Sequence, residues 1–132
     1  MEANNPVSSR RLRILTVEDH GDTRDVLANL LRHIGHEVSA AATVMAAVQA
    51  LNEGIFDVIV SDIGLPDGSG YAVIAQAKQK QPSIRAIALT GFATEQDAHF
   101  SREAGFDFHL TKPLDFHELR TLLAQMPQTN AA

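Results

Sequence analysis

From Leu12 onward, short aliphatic or β-branched runs alternate with segments whose apolar residues recur every three or four positions, the pattern of repeated βα units. Leu12 to Val17 reads as a first strand. Thr23 to Ile34 follows as a helix with Val26, Leu27, Leu30, Leu31 and Ile34 on its inner face and Gly35 as its C-terminal cap. Glu37 to Ala41 is a second strand. Thr43 can cap a helix through Glu53 that buries Val44, Ala47, Val48 and Leu51 and is closed by Gly54. Phe56 to Ser61 reads as a third strand, and its unbroken Val58, Ile59, Val60 suits a strand covered on both faces. A loop from Asp62 to Ser69, with Pro66 and two glycines, leads to a helix that ends near Lys80.

Arg85 to Thr90 is the fourth strand. Thr94 to Ala104 is a helix with a thin inward set, Ala98, Phe100 or Ser101, and Ala104, so weak packing is expected there. Gly105 caps it, Phe106 to Thr111 is the fifth strand, and Asp115 caps a last helix with Phe116, Leu119, Leu122 and Leu123 inward. Residues 1–11 and 127–132 lack such a period and read as disordered tails, leaving residues 12–126 as one folded domain. Five βα units with right-handed crossovers fit an open, doubly wound parallel sheet with helices on both faces, since a closed eight-unit barrel needs ~250 residues. Ligands of such sheets bind beyond the carboxyl ends of the strands, where the strand order reverses.

Composition narrows the function. The 132 residues are 45% hydrophobic and 20% charged, as in an ordinary globule. With 16 acidic against 11 basic residues the net charge is −5, which disfavours nucleic acid and anionic lipid as partners. The absence of cysteine excludes disulfides, thiolate metal sites and a cysteine nucleophile. No apolar run approaches the ~20 residues of a membrane span and the polar start has no signal-peptide block, so a cytoplasmic location without membrane attachment is expected.

The first strand ends in Glu18-Asp19, the third in Asp62, the fourth in Thr90 and the fifth in Lys112-Pro113. Three carboxylates on one rim repel unless a cation neutralises them, and hard oxygen donors favour Mg²⁺ over zinc. A lysine opposite supplies a point charge for an anion, and Thr90 supplies a hydroxyl. Together they suit phosphoryl transfer. The histidines His20, His33, His36, His99, His109 and His117 are scattered with no i, i+4 pair; a histidine metal site is not expected, and all but His109 read as surface residues.

Val17-Glu18-Asp19, Val60-Ser61-Asp62 with the following Ile63 to Gly70, Ala88-Leu89-Thr90-Gly91 and Thr111-Lys112-Pro113-Leu114 resemble, in order and spacing, the motifs of receiver domains of two-component response regulators. The resemblance implies a flavodoxin-like (βα)5 sandwich of strand order 2-1-3-4-5. It also implies that Asp62 accepts a phosphoryl group from the phosphohistidine of a histidine kinase or histidine phosphotransfer protein. By the same likeness Asp19 and Asp62 ligate Mg²⁺ directly, Glu18 reaches it through water, and Gly64 offers its backbone carbonyl. Lys112 pairs with Asp62 and then with the phosphoryl oxygens, Thr90 donates its hydroxyl to the new group, and the Lys112-Pro113 bond is cis. The switch then runs to the face formed by the fourth helix, fifth strand and fifth helix. Such a domain is a signalling module that assists its own aspartyl phosphorylation rather than an enzyme on external substrates. Three residues before Lys112, where the family most often has Tyr or Phe, stands His109, as in receivers resembling those attached to hybrid sensor kinases. His109 is therefore the candidate partner of Thr90 in the switch.

Other classes fit less well. A haloacid-dehalogenase-like phosphatase needs an acid two residues after its aspartate, where Gly64 stands. A mononucleotide-binding flavodoxin-like protein needs a phosphate-cradling loop after the first strand, where Glu18-Asp19-His20 stands. The alternative is a phosphate-independent pseudo-receiver that acts only as an interaction module, although such proteins typically lose one of the acids, the threonine or the lysine. The chain reads as a single-domain regulator or relay, or as the receiver of a longer hybrid kinase or regulator.

Overall fold

The computed structural model describes residues 11–91 and 95–126. Five strands, β1 (Arg13–Val17), β2 (Glu37–Ala41), β3 (Val58–Asp62), β6 (Arg85–Thr90) and β7 (Phe108–Thr111), pair in parallel in the order β2-β1-β3-β6-β7. The remaining two, β4 (Gly64–Leu65) and β5 (Gly68–Ser69), form a small antiparallel hairpin inside the predicted loop after β3. Leaving that hairpin aside, the order is the expected 2-1-3-4-5 of a flavodoxin-like sandwich. The helices are α1 (Gly21–His33), α2 (Val44–Glu53), α3 (Gly70–Lys80), α4 (Glu95–Ala104) and α5 (Phe116–Ala124). Of the tails expected at residues 1–11 and 127–132 only Arg11 is described, exposed and 3.9 Å from Glu37; the rest of both, and the start of α4 at Thr94, lie outside the described residues.

Alternate residues of each strand feed opposite cores, as a period of two requires. Leu15, Val17, Ile59, Ala86 and Ala88 pack with α2 and α3 through Ala47, Leu51, Val73 and Ile74. Ile14, Val58, Val60, Ile87, Leu89 and Leu110 pack with α1 and α5 through Leu27, Leu31, Leu119 and Leu123. Helices therefore cover both faces of β3, which explains its unbroken aliphatic run.

Several local expectations are corrected. The third and fifth strands begin two residues later than Phe56 and Phe106. In each case an aspartate side chain stands in for a backbone carbonyl: Arg13 N–H donates to Asp57 Oδ2 and Ala86 N–H to Asp107 Oδ2, both at 2.8 Å. Val26 and Leu30 are 58% and 39% exposed rather than inward, because the buried stripe of α1 is only Leu27, Ala28 and Leu31. Gly35 and Gly105 end their helices in the left-handed region, at φ 106° and 120°, where other residues are strained. Gly54 is extended at φ −157° and needs no glycine on that account. In α4 Ser101 is buried, whereas Phe100 lies outside and stacks on Tyr71 with ring centroids 4.8 Å apart. His36, read as a surface residue, is half-buried; its Nδ1 accepts the Leu12 amide at 3.1 Å, and burial lowers its pKa.

Candidate functional site

Parallel pairing aligns the carboxyl ends of β1, β3, β6 and β7, so residues 94 positions apart in sequence meet at one rim. Lys112 Nζ lies 2.7 Å from Asp62 Oδ1 and 3.2 Å from Glu18 Oε1. Both acids are buried, with side chains 5% and 1% exposed. The predicted Lys112-Pro113 bond is cis. Asp19 is half-buried beside them. Asp19, Asp62, Gly64, Thr90 and Lys112 line one open pocket of ≈ 360 Å³. The residues expected at the site thus converge there, with Glu18 buried next to it and joined to it through Lys112.

His109 stands apart from this pocket. It pairs in register with Ala88 on β6 and is half-buried, and its Nε2 is buried with no hydrogen-bond partner among the described residues. The side chain therefore points inward on the strand next to Thr90, rather than to solvent.

Burial makes the acid pair electrostatically lopsided. It pushes the Asp62 carboxyl up to about 7, with Glu18 adding to the rise and Lys112 opposing it. Burial acts on Glu18 in the same sense, but hydrogen bonds from Asp62, from the backbone and ring of His20, and from Lys112 outweigh it and hold Glu18 below its usual range. Desolvation opposes the charge on Lys112, and the two carboxylates restore and exceed that loss, so its pKa rises. The surroundings thus favour a charged Lys112 and an ionised Glu18 and oppose the ionisation of Asp62.

Two further residues build the rim, and the sequence patterns do not single them out. Arg24, on α1, donates from Nη1 to the backbone carbonyls of Glu18 and Asp19 at 3.1 and 3.3 Å and so fixes the turn that presents the acids. His20, expected as a plain surface residue, donates its backbone N–H to Glu18 Oε2 at 3.0 Å, and its Nδ1 sits 3.1 Å from the same oxygen. The glycine at the start of α3 has a steric role: a Cβ on Gly70 would run into the backbone carbonyl of Asp62, so only glycine permits this approach.

The donor set fits a divalent cation. One ligand atom each from Glu18, Asp19, His20 and Asp62 lies within 4.8 Å of the others. Three are carboxylate oxygens, the donors hard cations prefer, and a cation bound there would favour the ionised form of Asp62 that burial opposes.

A doubly wound sheet with an acid cluster and a lysine at its switch point defines a class, and the comparisons give its family. The model of the response regulator receiver domain matches residues 14–124. The chain belongs to the response regulator receiver family. It is 35% identical over 117 residues to an uncharacterised 14.6 kDa protein of Leptolyngbya boryana, with 87% of this chain and 89% of that one covered. It is 31% identical over 120 residues to the transcriptional regulatory protein PhoP of Escherichia coli K12, spanning 91% of this chain but only 54% of that longer protein. Among solved structures it is similar to the receiver domain of the sensor histidine kinase PA1611 of Pseudomonas aeruginosa PAO1, which has a magnesium ion coordinated in its active-site cleft. That match has a TM-score of 0.76 and 29% identity and covers 86% of this chain and 95% of that one.

Proposed function

We propose that this receiver takes a phosphoryl group from the phosphohistidine of a histidine kinase or histidine phosphotransfer protein onto Asp62. The observation that carries the reading is the buried Asp62 carboxylate, held 2.7 Å from Lys112 Nζ at the floor of a pocket open to solvent. Asp19, Asp62 and the Gly64 carbonyl would hold Mg²⁺, with Glu18 reaching it through water. Bound there, the cation supplies positive charge that offsets the carboxylates and the incoming phosphoryl oxygens. The magnesium in the related PA1611 receiver supports this assignment.

In the transfer a carboxylate oxygen of Asp62 attacks phosphorus, the P–N bond of the donor breaks, and its electron pair leaves with the imidazole. Lys112 neutralises the charge that moves onto Asp62. Thr90 lines the same pocket and would turn its hydroxyl to the new group, relaying the change to the face formed by α4, β7 and α5. His109, whose buried Nε2 lies on the strand beside Thr90, would then take up space that such a movement alters. The domain acts as a cytoplasmic signalling module that assists its own aspartyl chemistry. Its net charge argues against direct nucleic-acid or membrane binding, and no helix among the described residues is long and apolar enough to cross a membrane.

Beryllofluoride, which mimics a phosphoryl group on aspartate, tests this reading. With Mg²⁺ it should shift the amide resonances of Asp62, Thr90, Lys112 and residues 108–111. A spectrum unchanged by beryllofluoride and Mg²⁺ would leave the phosphate-independent interaction module as the account.

A further inference from the structure

The backbone that carries Gly64 has little of its own to hold it. Beyond Asp62 the chain leaves the main sheet and folds into the hairpin β4–β5, which consists of two residue pairs, Gly64 with Ser69 and Leu65 with Gly68. A ribbon that short is not stable by itself in water, and Gly64 is exposed and has no side chain to pack. The base of the hairpin is fastened where Gly70 N–H donates to Ile63 O at 2.7 Å. Its tip is fastened by Asp67, across 22 and 23 residues of chain: Oδ1 accepts the Val44 amide at 2.8 Å and Oδ2 the Met45 amide at 3.1 Å. Both donors lie in the first turn of α2, where no intrahelical acceptor exists for them. The two bonds hold the Asp67 carboxyl below its usual range. The helix already has a cap of its own, since Thr43 Oγ1 accepts the Ala46 amide at 3.0 Å. Asp67 therefore adds a connection between two elements and not just an end to one.

The same helix start is tied to the other half of the pocket. Ala41, the last residue of β2, accepts the Glu18 amide at 3.0 Å, and only Ala42 and Thr43 separate it from α2. The turn that presents Glu18 and Asp19 and the hairpin that presents Gly64 thus hang on one segment, residues 41–45. The hairpin also lies directly against that segment, because a Cβ on Gly68 would stand 3.2 Å from Val44 Cγ2. We infer that Asp67, which does not itself line the pocket, is a positioning residue for the cation: by clamping the hairpin tip to α2 it fixes the Gly64 carbonyl relative to the acids that follow β1. The inference rests on the reading of the Asp62 pocket as a Mg²⁺ site and adds a residue outside the pocket on which its geometry depends.

Mg²⁺ calorimetry and amide exchange on the full chain, for the wild type, Asp67→Ala, Asp67→Asn and Val44→Pro, test it. Asp67→Ala should weaken Mg²⁺ binding by roughly tenfold, as the loss of a group that orients a metal ligand does. It should also speed amide exchange across residues 64–69 in the metal-free protein. Asp67→Asn keeps a carbonyl oxygen for one of the two amides and should regain most of the affinity. Val44→Pro opens the clamp from its other side, since proline is tolerated at the first helical position and lacks the donor. In that background Asp67→Ala should cost less than it does alone. A residue that only stabilises the loop would change the unfolding midpoint and leave Mg²⁺ affinity as it was. Wild-type affinity in folded Asp67→Ala therefore overturns the inference, and so does an equal loss in Asp67→Asn and Asp67→Ala, which would trace the effect to charge. A wild-type chain that binds no Mg²⁺ refutes the underlying reading of the pocket, whereas normal binding that ignores Asp67→Ala refutes the inference alone.

Discussion

Lys112 Nζ bridges Asp62 and Glu18, 2.7 Å from one carboxylate and 3.2 Å from the other, although the lysine comes 50 and 94 residues after them in the chain. One cation thus serves two buried acids. Lys112→Met should destabilise the metal-free domain by about 1 to 3 kcal/mol, below the ~3–5 of a fully buried pair because a third of the lysine side chain faces solvent. Mg²⁺ should restore much of the loss by replacing the missing charge. Urea denaturation with and without Mg²⁺ measures both effects, and an equal deficit in the two conditions would count against a shared cation site.

The raised pKa of Asp62 sets the pH dependence of the metal-free state. Between the ordinary carboxylate range and about pH 7 the folded protein holds a proton at Asp62 that the unfolded chain has released. Stability from this group therefore falls as pH rises through that window. Glu18 acts oppositely: its folded pKa is depressed, so its contribution is lost only as pH drops below the usual carboxylate range. Urea midpoints at pH 5 and pH 7.5 should show a decline that Asp62→Asn abolishes. Mg²⁺ should bind more tightly as pH climbs toward 7, with proton release visible as a buffer-dependent heat in calorimetry.

Much of this was legible in the chain, and the parts that were not share a cause. Periodicity located every strand of the main sheet and every helix, because each buries a face that repeats locally. It misplaced Val26 and Leu30, since it cannot tell how wide a stripe the neighbouring elements will cover. The starts of β3 and β7 were set early because Asp57 and Asp107 imitate backbone acceptors, a substitution invisible to hydropathy. Glu18, Asp19, Asp62, Thr90 and Lys112 stood out through their shared position at strand ends and their resemblance to receiver motifs. The placements of His20 over the acids and of His36 against Leu12 depend on ring orientation, which no spacing encodes.

Gly70 is required by space at the site itself. A methyl group there meets the backbone carbonyl of Asp62, which cannot retreat without disturbing β3, and Gly70 N–H also donates to Ile63 O at 2.7 Å. Gly70→Ala should cost about 1 to 3 kcal/mol and displace the Asp62 amide resonance. A variant as stable as the wild type, with an unchanged Asp62 resonance, would contradict the close approach.

If Thr90 relays the phosphoryl signal, Thr90→Ala should still accept the group on Asp62 but lose the amide-exchange changes that phosphorylation produces across residues 99–111. Retention of those changes in full would refute the coupling. His109 should respond in the same experiment, because its buried Nε2 lies on the strand beside Thr90. Ring resonances of His109 that are identical with and without beryllofluoride and Mg²⁺, while Thr90 responds, would exclude it from the switch.

The central claim is that Asp62 accepts the phosphoryl group with the help of a divalent cation. Intact-mass spectrometry after incubation with acetyl phosphate and Mg²⁺ tests it most directly. The account predicts a gain of a single phosphoryl group in the wild type and no gain in Asp62→Asn or after chelation of Mg²⁺. Undiminished labelling of Asp62→Asn, labelling indifferent to chelation, or no labelling of the folded wild-type chain would contradict it.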